Sequence, residues 1–413
     1  MTRNIIALIG FALLAGCGGG GGDSATPSSA PAPLAQPDML TATSQGLLRG
    51  KANGQGQRLM LAKSNLHKSI VVLSKPNVFY TTRAPNDIWT VRTDGTGDRA
   101  VVNTSNAEFI RTVNGSWLIY GESIPQPSGR LVDRYGSVNI DTGEQFQFDD
   151  SEGTNYRPQN TSRLISTTSQ QQISSLTVTG ADRLTYASLT TEEQTVGTFL
   201  DTHQLVGDAL IYSRSASLRS GSYSRTYTIP LGGGTAALLD EERYDTYSAW
   251  SIGSRVVYHR RAPFPDPLQQ ADVVSIQNNG TNRVVLASNP ANEAVQGVTT
   301  NHVVIRRNLS GDDHLIVVPI NGGPEKLLMV MTNDEFVELI TGDLLIVRRP
   351  SGTWTLDLNG ALKQIGTETG DYGFMSIGNA VCMNKGEAVW CMPLDGSGPQ
   401  VKIADEGKIV GVL

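Results

Sequence analysis

Short apolar runs separated by glycine turns recur along most of this chain, and that recurrence limits what it can fold into. One run in each unit starts at Val78, Trp117, Arg163, Ala209, Arg255, His302, Leu344 and Ala380. Successive starts differ by 39, 46, 46, 46, 47, 42 and 36 residues. A glycine doublet follows the next apolar run in every unit: Asp94-Gly95, Thr142-Gly143, Thr179-Gly180, Gly232-Gly233, Asn279-Gly280, Asn321-Gly322, Asn359-Gly360 and Asp395-Gly396. Such doublets supply the positive φ that tight hairpins need. The runs are short and rich in β-branched residues, which is a strand signature, and no helical period appears beyond the N-terminus.

Around each doublet the pattern reads as four strands, here a, b, c and d, joined by short links. In 336–347, for example, strand a turns at Thr341-Gly342-Asp343 into strand b. Four antiparallel strands per 40–45 residues is the spacing of a β-propeller, in which each sheet buries its faces against its neighbours in a ring. The chain is therefore expected to be all-β, with eight four-stranded blades, or seven if one weak unit is misread. Ring closure has two candidates for strand a, 70–74 at the start and 408–413 at the end. The stretch Ile88-Trp89-Thr90-Val91-Arg92-Thr93-Asp94-Gly95, followed by Arg99-Ala100-Val101, resembles the WD40-like repeat of TolB-type propellers. Residues 315–328 and 389–403 echo it.

The N-terminus reads as a targeting segment. Arg3 precedes an apolar stretch over 5–14, too short to span a bilayer as a helix. It ends in Leu14-Ala15-Gly16-Cys17, which resembles the lipobox of bacterial lipoproteins. The resemblance implies cleavage before Cys17 and lipidation of that cysteine; Gly18 in the next position implies sorting to the outer membrane. A glycine run over 18–22 and a Ser/Pro/Ala-rich stretch over 24–37 form a flexible tether by composition. The expected division is thus a signal peptide over 1–16, a tether and lead-in over 17–66, and a propeller over 67–413.

Charges recur in register. Strand b ends in a base at Arg83, Arg214, Arg260 and Arg261, Arg306 and Arg307, Arg348 and Arg349, and Lys385. Strand a is preceded by acids at Glu108, Asp149 and Asp150, Glu192 and Glu193, Glu241 and Glu242, Glu293, Asp334 and Glu335, Asp371, and Asp405 and Glu406. In an up-and-down blade the end of b and the start of a lie at the same end. The b–c and d–a loops then share one face, called here the loop face. Two readings stand side by side. The charges form a ring of surface ion pairs, each worth roughly 0–1 kcal/mol, or the arginines form a recognition face.

Cys382 and Cys391 flank the turn at 385–388 and, in a symmetric hairpin, stand opposite each other, close enough for a disulfide. The histidines are scattered, and no zinc or calcium spacing appears. Trp89, Trp354 and Trp390 occupy matching places on strand c, as packing residues. A net charge of −6 gives no footprint for nucleic acid. There is no Gly-x-Ser-x-Gly elbow. No cofactor is expected. The functional expectation is a non-catalytic lipoprotein scaffold, held to the membrane by its lipid and binding an envelope protein or other ligand through the loop face. The alternative is a carbohydrate-binding or polymer-degrading propeller with its site at the central opening.

Overall fold

The computed structural model describes residues 37–413 apart from 84–85, 149–153, 161, 169–170, 196, 219–220, 240–244, 262–270, 289–291 and 310. Cys17, the signal peptide and the tether up to residue 36 lie outside the described residues. Nine four-stranded antiparallel sheets follow one another. Blades 2 to 9 cover 66–102, 107–147, 155–188, 198–238, 245–287, 292–331, 336–366 and 372–404, each with its strands in chain order. Blade 1 is composite: Asp38–Thr43, Gly46–Lys51 and Arg58–Ala62 supply b, c and d, and Lys408–Val412 from the other end supplies a.

The ring therefore has nine blades, where eight or seven were expected. The missed blade comes from residues assigned by sequence to the lead-in, because Gly46, Gly50, Gly54 and Gly56 dilute its apolar runs. Its own turn doublet, Asn53-Gly54, has the same geometry as the other eight. Gly54 has φ +80, and its N–H returns to the carbonyl of Lys51, the last residue of strand c. The eight recognised turn glycines all have φ between +59 and +91. Of the two closing strands considered, 408–413 completes the ring, and 70–74 is an ordinary strand a within blade 2.

Regularity differs across each blade. The b–c pairing runs without a register shift in all nine blades. The a–b pairing is shifted in all nine. A bulge adds local twist, and the innermost strands are the ones that must turn most sharply around the hub. Most outer c–d pairs are shifted too, which blunts the exposed sheet edges against pairing with another chain.

Among the described residues no common core lies at the centre. The buried apolar residues form nine clusters, one at each seam between consecutive blades. Strand b divides its side chains by alternation: in blade 2, Tyr80 enters the seam with blade 1 and Phe79 the seam with blade 3. Backbone bonds tie the seams near the turn face, opposite the loop face. The residue just after strand c uses its N–H within its own blade, as Ile140 does on the carbonyl of Ser116. Its carbonyl accepts a side chain from the preceding blade. Arg49 bonds the carbonyl of Thr93 at 3.2 Å, Ser137 that of Val178 at 2.6 Å, Tyr186 that of Leu231 at 2.8 Å and Lys326 that of Leu358 at 2.9 Å. Arg99 and Thr228 do the same to Ile140 and Asn278.

Closure rests on the Lys408–Val412 strand. Truncation after Gly407 strips strand a from blade 1 and uncovers Met39 and Ile377 in the last seam. It is expected to cost at least ~3 kcal/mol, from two or more apolar side chains returned to water, read as a lower urea midpoint.

Candidate recognition face

The loop face is uneven. Strands b and c are 6 residues long in blades 1, 4, 8 and 9. They lengthen to 9 in blade 3, 10 in blade 5 and 8 in blade 7. The additional residues lie at the b–c end, so these hairpins stand about 7–14 Å above the others at ~3.4 Å per residue. The Pro/Arg/Asp-rich stretch 125–134 tips the blade 3 hairpin, with Leu131 exposed. The corresponding loop of blade 6, 262–270, lies outside the described residues. Both ends of the propeller are on the opposite, turn face: Leu413 N–H bonds the carbonyl of Asp38 at 2.7 Å.

At the foot of these hairpins, the acids before strand a meet the bases ending strand b. Glu293 is the direct cross-strand partner of Arg307 in blade 7. The Arg307 Nε donates to Glu293 Oε1 at 2.6 Å, and its other two nitrogens grip Glu325 at 2.8 and 2.7 Å. One guanidinium thus links strand a to the residue before strand d. In blade 8, Arg349 bonds Glu335, which also accepts the N–H of Thr332 at 2.9 Å and so folds the d–a loop back on itself. In blade 5, Arg214 bonds Glu193 at 2.6 Å. Glu193 and Thr190 cap each other across the start of the short helix Thr191–Thr195, the reciprocal bonding of a capping box. In blade 9, Lys385 pairs with Glu368, and Asp371 instead takes the N–H of Gly386 at 2.6 Å.

The bases one position earlier point to the other side of the blade. Arg260 bonds its strand c partner Asp272 at 2.6 Å, Arg306 bonds Asp313, and Arg348 bonds Glu338 at 2.6 Å while lying over the Phe336 ring at 4.6 Å. The arginines singled out from the sequence at 214, 260, 306, 307, 348 and 349 are therefore each held by a carboxylate of their own blade or its leading loop. Arg83 is exposed, and its N–H bonds the carbonyl of Asn65. The side chain of Arg261 and the acids Asp149, Asp150, Glu241 and Glu242 lie outside the described residues. Sequence reading did not find Asp272, Asp313, Glu325 and Glu338. Asp272 and Asp313 sit on strand c, Glu338 on strand a and Glu325 just before strand d, without a recurring spacing, so only the fold brings them to the arginines.

Blade 3 departs from the pattern. Glu122 stands where the base should be, directly opposite Glu108. Thr104 donates to Glu108 through N–H and hydroxyl, at 2.6 and 2.5 Å. Burial nevertheless raises the Glu108 carboxyl above its ordinary range. Burial also works against Glu122, but bonds from Arg134 and Asn106 outweigh it and hold that group low. In blade 7 the two partners respond unequally. Glu325 and Glu293 together fix Arg307 as a cation, against its own burial. Glu293 has a fully buried side chain and an Oε2 without a partner; burial outweighs the Arg307 contact and pushes it up to about 7.

Away from this face, Cys382 and Cys391 are cross-strand partners in blade 9, with Cα atoms 4.1 Å apart and their sulfurs bonded. Both lie in the seam with blade 1. The strand c tryptophans each carry a cation: Lys63 over Trp89 at 3.5 Å, Arg349 over Trp354 at 5.2 Å and Lys402 over Trp390 at 5.4 Å. A cavity of about 260 Å³ opens at the blade 9–blade 1 seam on the turn side, lined by Ala52, Asn53, Ala380, Pro393 and Val401 among others. Among the described residues no cluster of His, Cys, Asp and Glu is arranged to hold a metal ion, and no helix is long and apolar enough to cross a membrane.

No family model and no curated protein matches this chain. Solved structures do. The dipeptidyl peptidase 4 of Porphyromonas gingivalis superposes with a TM-score of 0.55 at 8% identity, over 84% of this chain and 59% of the peptidase. An oligogalacturonate lyase in complex with manganese gives 0.42 at 11%, over 79% of this chain and 96% of the lyase. A post-proline cleaving enzyme from Rickettsia typhi gives 0.46 at 9%, over 78% and 56%. The chain thus spans less than two thirds of either peptidase. At these identities the likeness is one of fold, a β-propeller.

Two measurements probe the buried clasp. Arg307→Ala leaves Glu293 buried beside no cation and should destabilise the protein by ~3 kcal/mol at pH 8, with R307L/E293L recovering at least half. Glu293 also makes stability depend on pH. Its folded value, about 7, exceeds its unfolded value of about 4.5, so the folded chain binds its proton more tightly. That contribution is complete below about pH 4.5 and lost as pH rises through about 7. Urea midpoints should show wild type losing ~1–3 kcal/mol against Glu293→Gln between pH 5 and pH 8.

Proposed function

We propose that this chain is an envelope-anchored propeller that recognises a protein partner on its loop face without catalysis. The observation that carries this reading is the uneven rim. Hairpins rise on blades 3, 5 and 7, while blades 8, 9 and 1 stay low. Stability alone gives little reason for the extra strand length, since most of the described added residues are not buried, Ala216, Ser224 and Asp313 being the exceptions. Long loops on one face of a repeat protein are where binding concentrates.

Beneath that rim the carboxylate clasps hold arginine side chains in fixed orientations. Arg214, Arg306, Arg348 and Arg349 keep about 30% of their side-chain surface exposed. An arginine already oriented by one carboxylate loses less rotamer freedom on meeting a ligand, which favours binding. The described propeller begins and ends on the turn face, opposite the loop face. Lipidation at Cys17 and an outer-membrane location are part of the same proposal and rest on the lipobox resemblance.

The test is cross-linking pull-down from intact envelopes with two variants. One replaces 123–133 by a two-residue Asn-Gly turn; the other shortens the blade 5 hairpin across 215–224 in the same way. Each should lose a cross-linked partner recovered by the wild type while keeping its melting temperature within about 3 °C, the shift of roughly 1 kcal/mol. An unchanged partner profile with both hairpins cut back would overturn the reading.

A further inference from the structure

The seam between blades 6 and 7 contains an interblade bond that depends on a neutral histidine. His259 lies on strand b of blade 6 (Arg255–Arg261), and its Nε2 accepts the backbone N–H of Val295 on strand a of blade 7 (Asn292–Val298). A ring nitrogen that accepts an N–H carries no proton itself, so the imidazole is neutral in this arrangement. Trp250 stands edge-on to the ring at 5.5 Å and fixes its plane. Val295 is buried and immediately precedes the bulge of its strand. The bond therefore holds the innermost strand of blade 7 where that strand turns around the hub.

Two residues before Val295 is Glu293. Among the described side chains, the charged groups gathered at the seam are Arg260 and Asp272 from blade 6, bonded to each other, and Glu293, Arg307 and Glu325 from blade 7. Asp272 is close enough to raise Glu293 further. His314 stands opposite Arg307 across strands b and c. Asp245 and Arg261 are the next cross-strand pair of blade 6, with side chains outside the described residues. A proton on His259 adds a cation next to Arg260. A proton on Glu293 removes the anion facing Arg307. Among these described groups, acid thus moves the balance from net-negative to net-positive.

We propose that this seam is an acid-released joint in the ring: protonation of His259 takes away the acceptor of the Val295 N–H and frees strand a of blade 7 from blade 6, while both blades stay folded. The two titrating groups divide the work. The histidine holds the seam only when neutral, so acid releases it. Proton uptake by Glu293 removes a charge whose burial outweighs its contact with Arg307, so acid stabilises blade 7 itself. Arg306 and Arg307 belong to blade 7 and Arg260 to blade 6, so release at this seam changes the spacing of the loop-face arginines. That consequence rests on the loop-face reading; the joint does not.

Backbone amide exchange on the full chain tests it without any partner. Between pH 7.5 and 5.0, after correction for intrinsic exchange, protection over 292–298 should fall at least tenfold in the wild type. Protection over 336–341, the equivalent strand of blade 8, should hold. His259→Gln keeps an acceptor that does not titrate, and its protection should stay constant. Unchanged wild-type protection, or the same fall in H259Q, overturns the proposal. Should H259Q not fold, the imidazole pKa of His259 in the wild type decides: accepting an N–H favours the neutral form, so a value clearly below ~6.5 supports the joint and one at or above it overturns it.

Discussion

Everything in this fold depends on one backbone pairing between residues far apart in sequence. Lys408–Val412 lies antiparallel to Asp38–Thr43 and makes the last strand of the chain the innermost strand of the first blade. A four-stranded sheet has two apolar faces and cannot cover both alone. In an open row of nine sheets the two end blades would each leave one face in water. Closure gives every face a neighbour, and the seam it creates, built on Met39, Ile377, Cys382 and Cys391, is packed like the other eight. The disulfide lies within this seam, bracing the blade against which the closing strand packs.

Because burial is divided among nine seams, stability is close to a sum of nearest-neighbour terms, as in other repeat proteins. The backbone supports this division. Regular b–c hairpins form the rigid middle of each blade, and shifted a–b pairs let the inner strands twist around the hub. The carbonyl after strand c accepts a donor from the blade before it, whether arginine, serine, tyrosine, threonine or lysine. The geometry repeats while the residue type does not, so no sequence motif marks it.

The charges that the sequence offered either as surface ion pairs or as a recognition face are, where described, part of the scaffold. Glu335 and Glu193 fold their d–a loops by accepting backbone N–H groups, and Arg349 and Arg214 tie those loops to the hairpins. Glu293 is buried too deeply to be a surface ion pair, and Arg307 reaches from it across the blade to Glu325. The carboxylates anchor the arginines from below and leave part of Arg306, Arg348 and Arg349 exposed. The recurring acid–base register was legible because strand ends follow the repeat. The second carboxylates, Asp272, Asp313, Glu325 and Glu338, were not, because cross-strand neighbours are set by register and bulges. His259 was legible only as a strand residue; its role in joining blades 6 and 7 comes from a backbone N–H, which sequence does not show.

The sequence by itself determined the four-stranded unit, the turns that close it and the face on which its charges gather. Those are local properties: alternation of apolar residues, positive φ at Gly95 or Gly360, and the two-residue period that sends Phe79 and Tyr80 to opposite sides. Only the tertiary structure decided the number of blades and the way the ring closes. Blade 1 is assembled from both ends of the propeller; its strand Gly46–Lys51 is diluted by two glycines, and Arg58–Ala62 is a short run after a glycine-rich turn. They become strands because Asp38–Thr43, itself paired with 408–412, gives their sheet an inner edge and blades 2 and 9 cover its faces, and that stabilisation is non-local.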